Sequence, residues 1–181
     1  MRLPNGDAVM KWNGRFDLEW CIGGKIFHDQ AQNQVYDQGE QDILETFFRA
    51  ATAPTGFYLG LLKTTYVINE PDTMTTIGPA ELTNATASGY TARQAVSRDA
   101  IGWPTSAPSG GDWQVTSLQV TWTAGGAWTD TAGFLFLMSG GVATPGNTAS
   151  GRVIAVANLS PTRQLQANGD TLKVTYSLKL Q

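Results

Sequence analysis

Apolar and polar residues alternate with a period of two through most of this chain, and the clearest case surrounds its middle. From Trp113 to Thr123, Val115, Ser117, Gln119 and Thr121 fall in one phase, and Thr116, Leu118, Val120 and Trp122 in the other. That is the signature of a half-buried strand, and it predicts that the phase carrying Leu118, Val120 and Trp122 faces the core. After Gly125-Gly126 the run Phe134 to Met138 is apolar without interruption and bounded by Gly133 and Ser139-Gly140. A run too short for a helix and apolar throughout predicts a central strand covered on both faces.

The same alternation recurs in Phe57 to Leu62, Gly89 to Val96, Arg152 to Ala157 and, most regularly, Thr171 to Leu180. Six major strands separated by turn-rich segments predict a mainly β fold, an antiparallel β-sandwich of jelly-roll-like type. One short helix is predicted from Asp37. Asp37 and Glu40 stand at capping-box spacing, and Ile43, Leu44, Phe47, Phe48 and Ala51 recur as one apolar stripe before Pro54. The segments around residues 23–36, 101–112 and 139–151 read as loops and 63–88 as a functional surface loop or an excursion containing short edge strands, with Trp103 placed to plug one end of the sandwich and Arg93 on the surface or at an interface.

Ahead of the helix, Asn13-Gly14 separates two alternating segments between Ala8 and Ile22, the strongest short-range sign of a two-residue hairpin. An isolated hairpin is marginal in water. Residues 1–36 are therefore predicted to form an extended N-terminal arm and linker, and residues 37–181 the helix and sandwich domain. Trp12, Phe16, Leu18 and Trp20 are the expected partner-binding residues, because their rings and side chains need a surface to cover them; packing on the arm's own domain is the competing expectation.

Composition narrows the chemistry. The net charge is -3, charged residues make up 15%, and the seven arginines and five lysines are scattered. A phosphate backbone is neutralised by clustered cations, so no nucleic-acid partner is expected. One cysteine, Cys21, excludes an internal disulfide and a paired-cysteine zinc site. No run reaches the roughly 20 apolar residues of a membrane span, and the start of the chain lacks the apolar middle of a signal peptide. His28 lies beside Asp29, and Asp17 and Glu19 share a strand face, yet no nucleophile or pocket is placed to use them. No cofactor, metal or catalytic residue is expected.

Taken in order, ILETFF from Ile43, FYLGLLKTT from Phe57, GYTARQAV from Gly89, Ala127-Trp128, GFLFL from Gly133 and GDTLKVTYSLKL from Gly169 form a specific succession. It resembles small virion proteins of tailed bacteriophages, of the head-fibre, tail-fibre-like or capsid-decoration type. The resemblance runs from Asp37 to Gln181; it departs from the family in the two residues between Tyr90 and Arg93 and in the segment before the helix. It implies a non-enzymatic structural component of a virion assembled in the bacterial cytoplasm, a capsid decoration or head-fibre protein. The implied partners are other virion proteins of the capsid, neck or tail and further copies of itself, trimers especially. A neck or tail accessory or fibre protein is the first alternative. A carbohydrate-binding receptor module, motivated by Trp103 and Trp128 in or near loops, is the second.

Overall fold

Strand alternation beginning at Trp12 organises the whole molecule. The computed structural model of the chain describes residues 12–180. Strands β1 (Trp12–Ile22) and β2 (Lys25–Val35) are joined by Gly23-Gly24, both at positive φ, and are followed by helix α1 (Asp37–Phe48) and strand β3 (Gly56–Lys63). A short helix α2 (Met74–Ile77), a 3-10 turn (Gly78–Ala80) and strand β4 (Gln94–Ser97) come next. Then follow β5 (Thr105–Ser109), β6 (Asp112–Thr116), β7 (Val120–Thr123), β8 (Ala132–Ser139), β9 (Arg152–Arg163) and β10 (Thr171–Leu180).

All ten strands join one curled antiparallel sheet. Its path is β4-β3-β8-β9-β2-β1-β10-β6-β5, with β7 also on β10. The curl turns on β2, whose Lys25 to Gln32 pair with β1 while Asn33 to Val35 pair with β9. Between the two wings lies the main core: Phe16, Leu18 and Trp20 of β1 and Leu172, Val174 and Tyr176 of β10 meet Leu59, Leu61, Leu135 and Leu137 of β3 and β8. The opposite face of β8 is also covered. There Phe134, Phe136 and Met138 pack with Val153, Val156, Tyr36, Tyr66, Met74 and Ile77, so every residue of β8 is buried, as its unbroken apolar run predicts.

Several expectations need correction. Asn13-Gly14 is not a turn, since both residues pair with β10, at Lys179 and Leu178. Gly14 is required for a different reason: a Cβ there would lie 1.9 Å from Asn33 Oδ1 and 2.3 Å from the Tyr176 hydroxyl. The first half of the expected hairpin, Ala8 to Lys11, lies outside the described residues. From Trp12 to Val35 the chain is not an arm ahead of the domain but two adjacent strands near the middle of the sheet path. The loop expected around residues 23–36 is mostly β2, whose inward positions include Asp29 and Asn33; those two polar residues mask the period of two.

The long strand expected from Trp113 to Thr123 breaks into β6 and β7. Thr116 pairs with Ser177 and Val120 with Val174, so this side carries one residue more than β10. An inserted residue reverses the facing on one side of it relative to the other. Here Val120 and Trp122 face the core as the alternation predicts, and it is the side running back through Leu118 to β6 that is reversed. Ser117 is consequently buried, its Oγ accepting from Tyr176 N at 2.9 Å, while Leu118 is exposed. Within 101–112, β5 is an edge strand, where Pro108 removes no needed donor. Within 63–88, α2 and the 3-10 turn cover the outer face of β8, so α1 is not the only helix.

Arg93 is fully buried instead of superficial. Its guanidinium faces Glu81 and also donates to the carbonyls of Val142 and Asn147 at 2.9 and 3.0 Å. This pins the glycine-rich segment after β8 against the body of the fold.

Candidate functional site

Helix α1 starts on the sheet and ends off it. Its N-cap, Tyr36, is buried; the amide donates to Ile154 O at 2.9 Å and the hydroxyl lies 2.7 Å from that of Tyr66. No side chain caps the helix, because the residue before Asp37 is a tyrosine and Asp37 already lies inside the first turn. Gly39 packs directly on the backbone of Ile154, Gln38 Oε1 accepts from Val153 N, and Asp42 takes Arg152 at 2.8 Å and the Ser139 hydroxyl. These contacts occupy the first turn and a half.

Beyond them the apolar stripe has no cover. Leu44, Phe47 and Phe48 are 55%, 80% and 74% exposed, and the two phenylalanine rings meet edge to face at 5.0 Å. The stripe predicted from the sequence is present from Ile43 to Phe48, Ala51 falling beyond the helix end, but of its residues only Ile43 is half-buried against the domain. Single exposed apolar residues are ordinary; three on one helix face, next to a hollow, are a candidate binding surface.

The hollow lies between α1 and the near end of the curled sheet. It is a cavity of about 310 Å³ walled by Ile43, Phe57, Trp103, Leu137, Tyr176 and Leu178, with Phe47 at its lip and Asp42 and Arg98 among its polar residues. Trp103 is half-buried against the main core, standing nearly perpendicular to Phe57 and Tyr176 at 5.4 and 6.3 Å. Burial raises the Tyr176 phenol above its ordinary value, keeping it neutral in the cavity wall. An apolar hollow with charge only at its margin suits a desolvated side chain from a partner.

The residues expected to bind a partner lie elsewhere. Phe16, Leu18 and Trp20 are buried in the core formed with β3 and β8, which leaves them no free surface. Trp12 alone among the four is half-buried, opposite Leu180 at the start of β1. The alternation that singled them out correctly marked an apolar face; what covers that face is the chain's own opposite wing. The helix stripe was legible too, but periodicity cannot show whether a stripe faces a core or solvent.

The groups considered for catalysis or sugar stacking have other occupations. Asp17 accepts from Arg15 and from Gln30 at 2.8 Å, and the Lys173 ammonium at 2.7 Å holds Glu19 below the usual carboxylate range. Asp29 is taken by Arg163, whose guanidinium also covers the Phe27 ring at 4.4 Å. Trp128 is buried and Trp103 half-buried; Trp113, at 64%, is the tryptophan counted among the exposed large apolar residues. Among the described residues no group of three or more His, Cys, Asp or Glu is arranged to hold a metal, and no helix is long and apolar enough to cross a membrane.

Compared with family models, curated proteins and solved structures, the chain gives no match in any of the three.

Proposed function

We propose that this chain is a non-enzymatic structural component of a tailed-bacteriophage virion, a capsid decoration or head-fibre protein that holds its place by burying an apolar face on neighbouring virion subunits. The single observation that carries the docking role is the exposed end of α1, with Leu44, Phe47 and Phe48 beside an apolar cavity. The location on a phage particle rests on the ordered sequence resemblance from Asp37 to Gln181. A jelly-roll-like β-sandwich is the finer reading of the curled sheet, supported by the approach of β4 on one wing to β7 on the other and by the stacking of Tyr90 on Trp122 at 6.0 Å.

Away from α1, Arg15 pairs with Asp17, Lys173 with Glu19 and Lys179 with Asp112, so these surface charges are already neutralised within the chain, which suits a component whose contacts are chiefly apolar. A neck or tail accessory would dock by the same face, so location distinguishes the two. Gold-labelled antibody against this chain, applied to particles of the phage that encodes it, is expected to mark the head; label at the neck or tail selects the alternative. Particles that carry none of the chain would sink the reading. A glycan array tests the carbohydrate module, for which the exposed Trp113 ring is the remaining platform.

A further inference from the structure

We propose that the occupant of the docking face is a second copy of this chain, seated across a two-fold axis so that Phe48 and Leu44 of each copy enter the cavity of the other. This deepens the docking reading above and rests on it. The knob and the hollow belong to one surface: Phe47 is both an exposed ring of α1 and part of the cavity wall. A patch carrying a projection and a matching recess side by side is self-complementary, which is what an isologous interface requires.

Size agrees with this occupant. A protein cavity of about 150 Å³ lined by aliphatic and aromatic groups takes one benzene ring. The hollow here, at about 310 Å³, is twice that, room for one phenylalanine ring and one leucine. Leu44 and Phe48 stand four residues apart, on the same helix face, and so enter together.

Charge agrees as well. Asp37, Glu40, Asp42 and Glu45 occupy the first three turns of α1, Arg49 caps its end, and Arg98 lines the cavity. Glu40, Arg49 and Arg98 make no ion pair among the described residues. Two α1 helices crossing antiparallel bring the cationic end of each toward the acidic half of the other, and their dipoles oppose. A parallel stack would set like charges together.

Light scattering on the purified full chain tests this without any phage particle. At concentrations up to about 100 µM, where a Kd near 1 µM leaves mostly complex, wild type is expected at twice the monomer mass of 19.4 kDa. Phe48→Asp should run as a monomer with an unchanged circular dichroism spectrum, and should bind an apolar fluorescent dye several-fold more than wild type because the cavity is uncovered. Val67→Asp, altering an exposed apolar residue outside the cavity wall, should remain dimeric. Wild type that stays monomeric, a trimer, a dimer indifferent to Phe48→Asp, or equal dye binding by both proteins overturns the proposal. A monomer that still labels particles leaves the virion role standing with a foreign partner; a dimer absent from particles removes the virion role and leaves the dimer.

Discussion

Arg93 and Glu81 form a two-pronged ion pair with no solvent exposure, Arg93 Nη2 lying 2.7 Å from Glu81 Oε2 and Nε 2.9 Å from Oε1. Around it, Tyr90 Oη donates to Glu81 Oε1 at 2.8 Å, Gly146 N donates to Oε2, and the guanidinium sits over the Phe136 ring. Burial and the adjacent Glu81 carboxylate push the Tyr90 phenol well above its ordinary value, so it remains a donor. One pair thereby fixes three separate segments of the chain: the approach to β4, the turn after α2 and the glycine-rich loop after β8.

Removing one member of this pair leaves a buried charge without its counterpart. Arg93→Ala is expected to cost about 3 to 5 kcal/mol, and Glu81→Ala a similar amount. Urea unfolding measures both. The double variant should cost less than the sum of the singles, since it leaves neither charge stranded; strict additivity would show that the pair does not act as a unit.

Gly39→Ala separates local from tertiary control of α1. Helix propensity alone favours alanine by about 1 kcal/mol. In the fold, the added Cβ would lie 2.5 Å from Ile154 O and 2.8 Å from its Cα, both backbone atoms that cannot turn aside. Destabilisation of about 1 to 3 kcal/mol is therefore expected, read as a lower melting temperature. A gain in stability would mean that the helix does not sit this close to β9.

Asp170 links the start of β10 to the turn between β1 and β2. Its carboxylate accepts the amides of Gly23, Gln166 and Ala167, each at 2.9 Å, and the Gly23 bond leads in holding its pKa below the ordinary value. A depressed carboxylate contributes stability that is complete above its unfolded pKa, near 3.9, and is lost as pH falls through the folded value. Asp170→Asn should lower stability at pH 7 by about 1 to 2 kcal/mol and flatten the loss of stability below about pH 4. Denaturant midpoints of the two proteins from pH 2 to 7 check this; parallel curves would contradict it.

Trp20 distinguishes core from interface. Its side chain is fully buried between β1 and the facing wing, so Trp20→Ala should cost about 3 to 5 kcal/mol of folding stability. An interface residue would instead alter association and leave the unfolding midpoint in place. Thermal unfolding under conditions where the chain is monomeric decides between them.

Much of the sheet follows from sequence because two-residue periodicity is a local property. It locates β3, β8 and β10, begins α1 at Asp37, marks the apolar faces of β1 and α1, and makes β8 a strand buried on both sides. Three things depended on residues far apart in the chain. Gly14 resembled a turn residue until Asn33 and Tyr176 were brought against it. Ser117 to Gln119 looked like continuous strand until pairing with β10 inserted one residue and reversed its facing. Arg93 read as a surface or interface cation until Glu81 and the loop carbonyls surrounded it. Which faces are apolar is legible in the residue pattern; which of them find cover within the chain depends on how the wings pack. The reason is physical: hydrophobic patterning fixes the side of an element that avoids water but carries no information about what excludes it. Between Phe16 and Phe48, equally apolar in the sequence, only the fold distinguishes a buried residue from an exposed one.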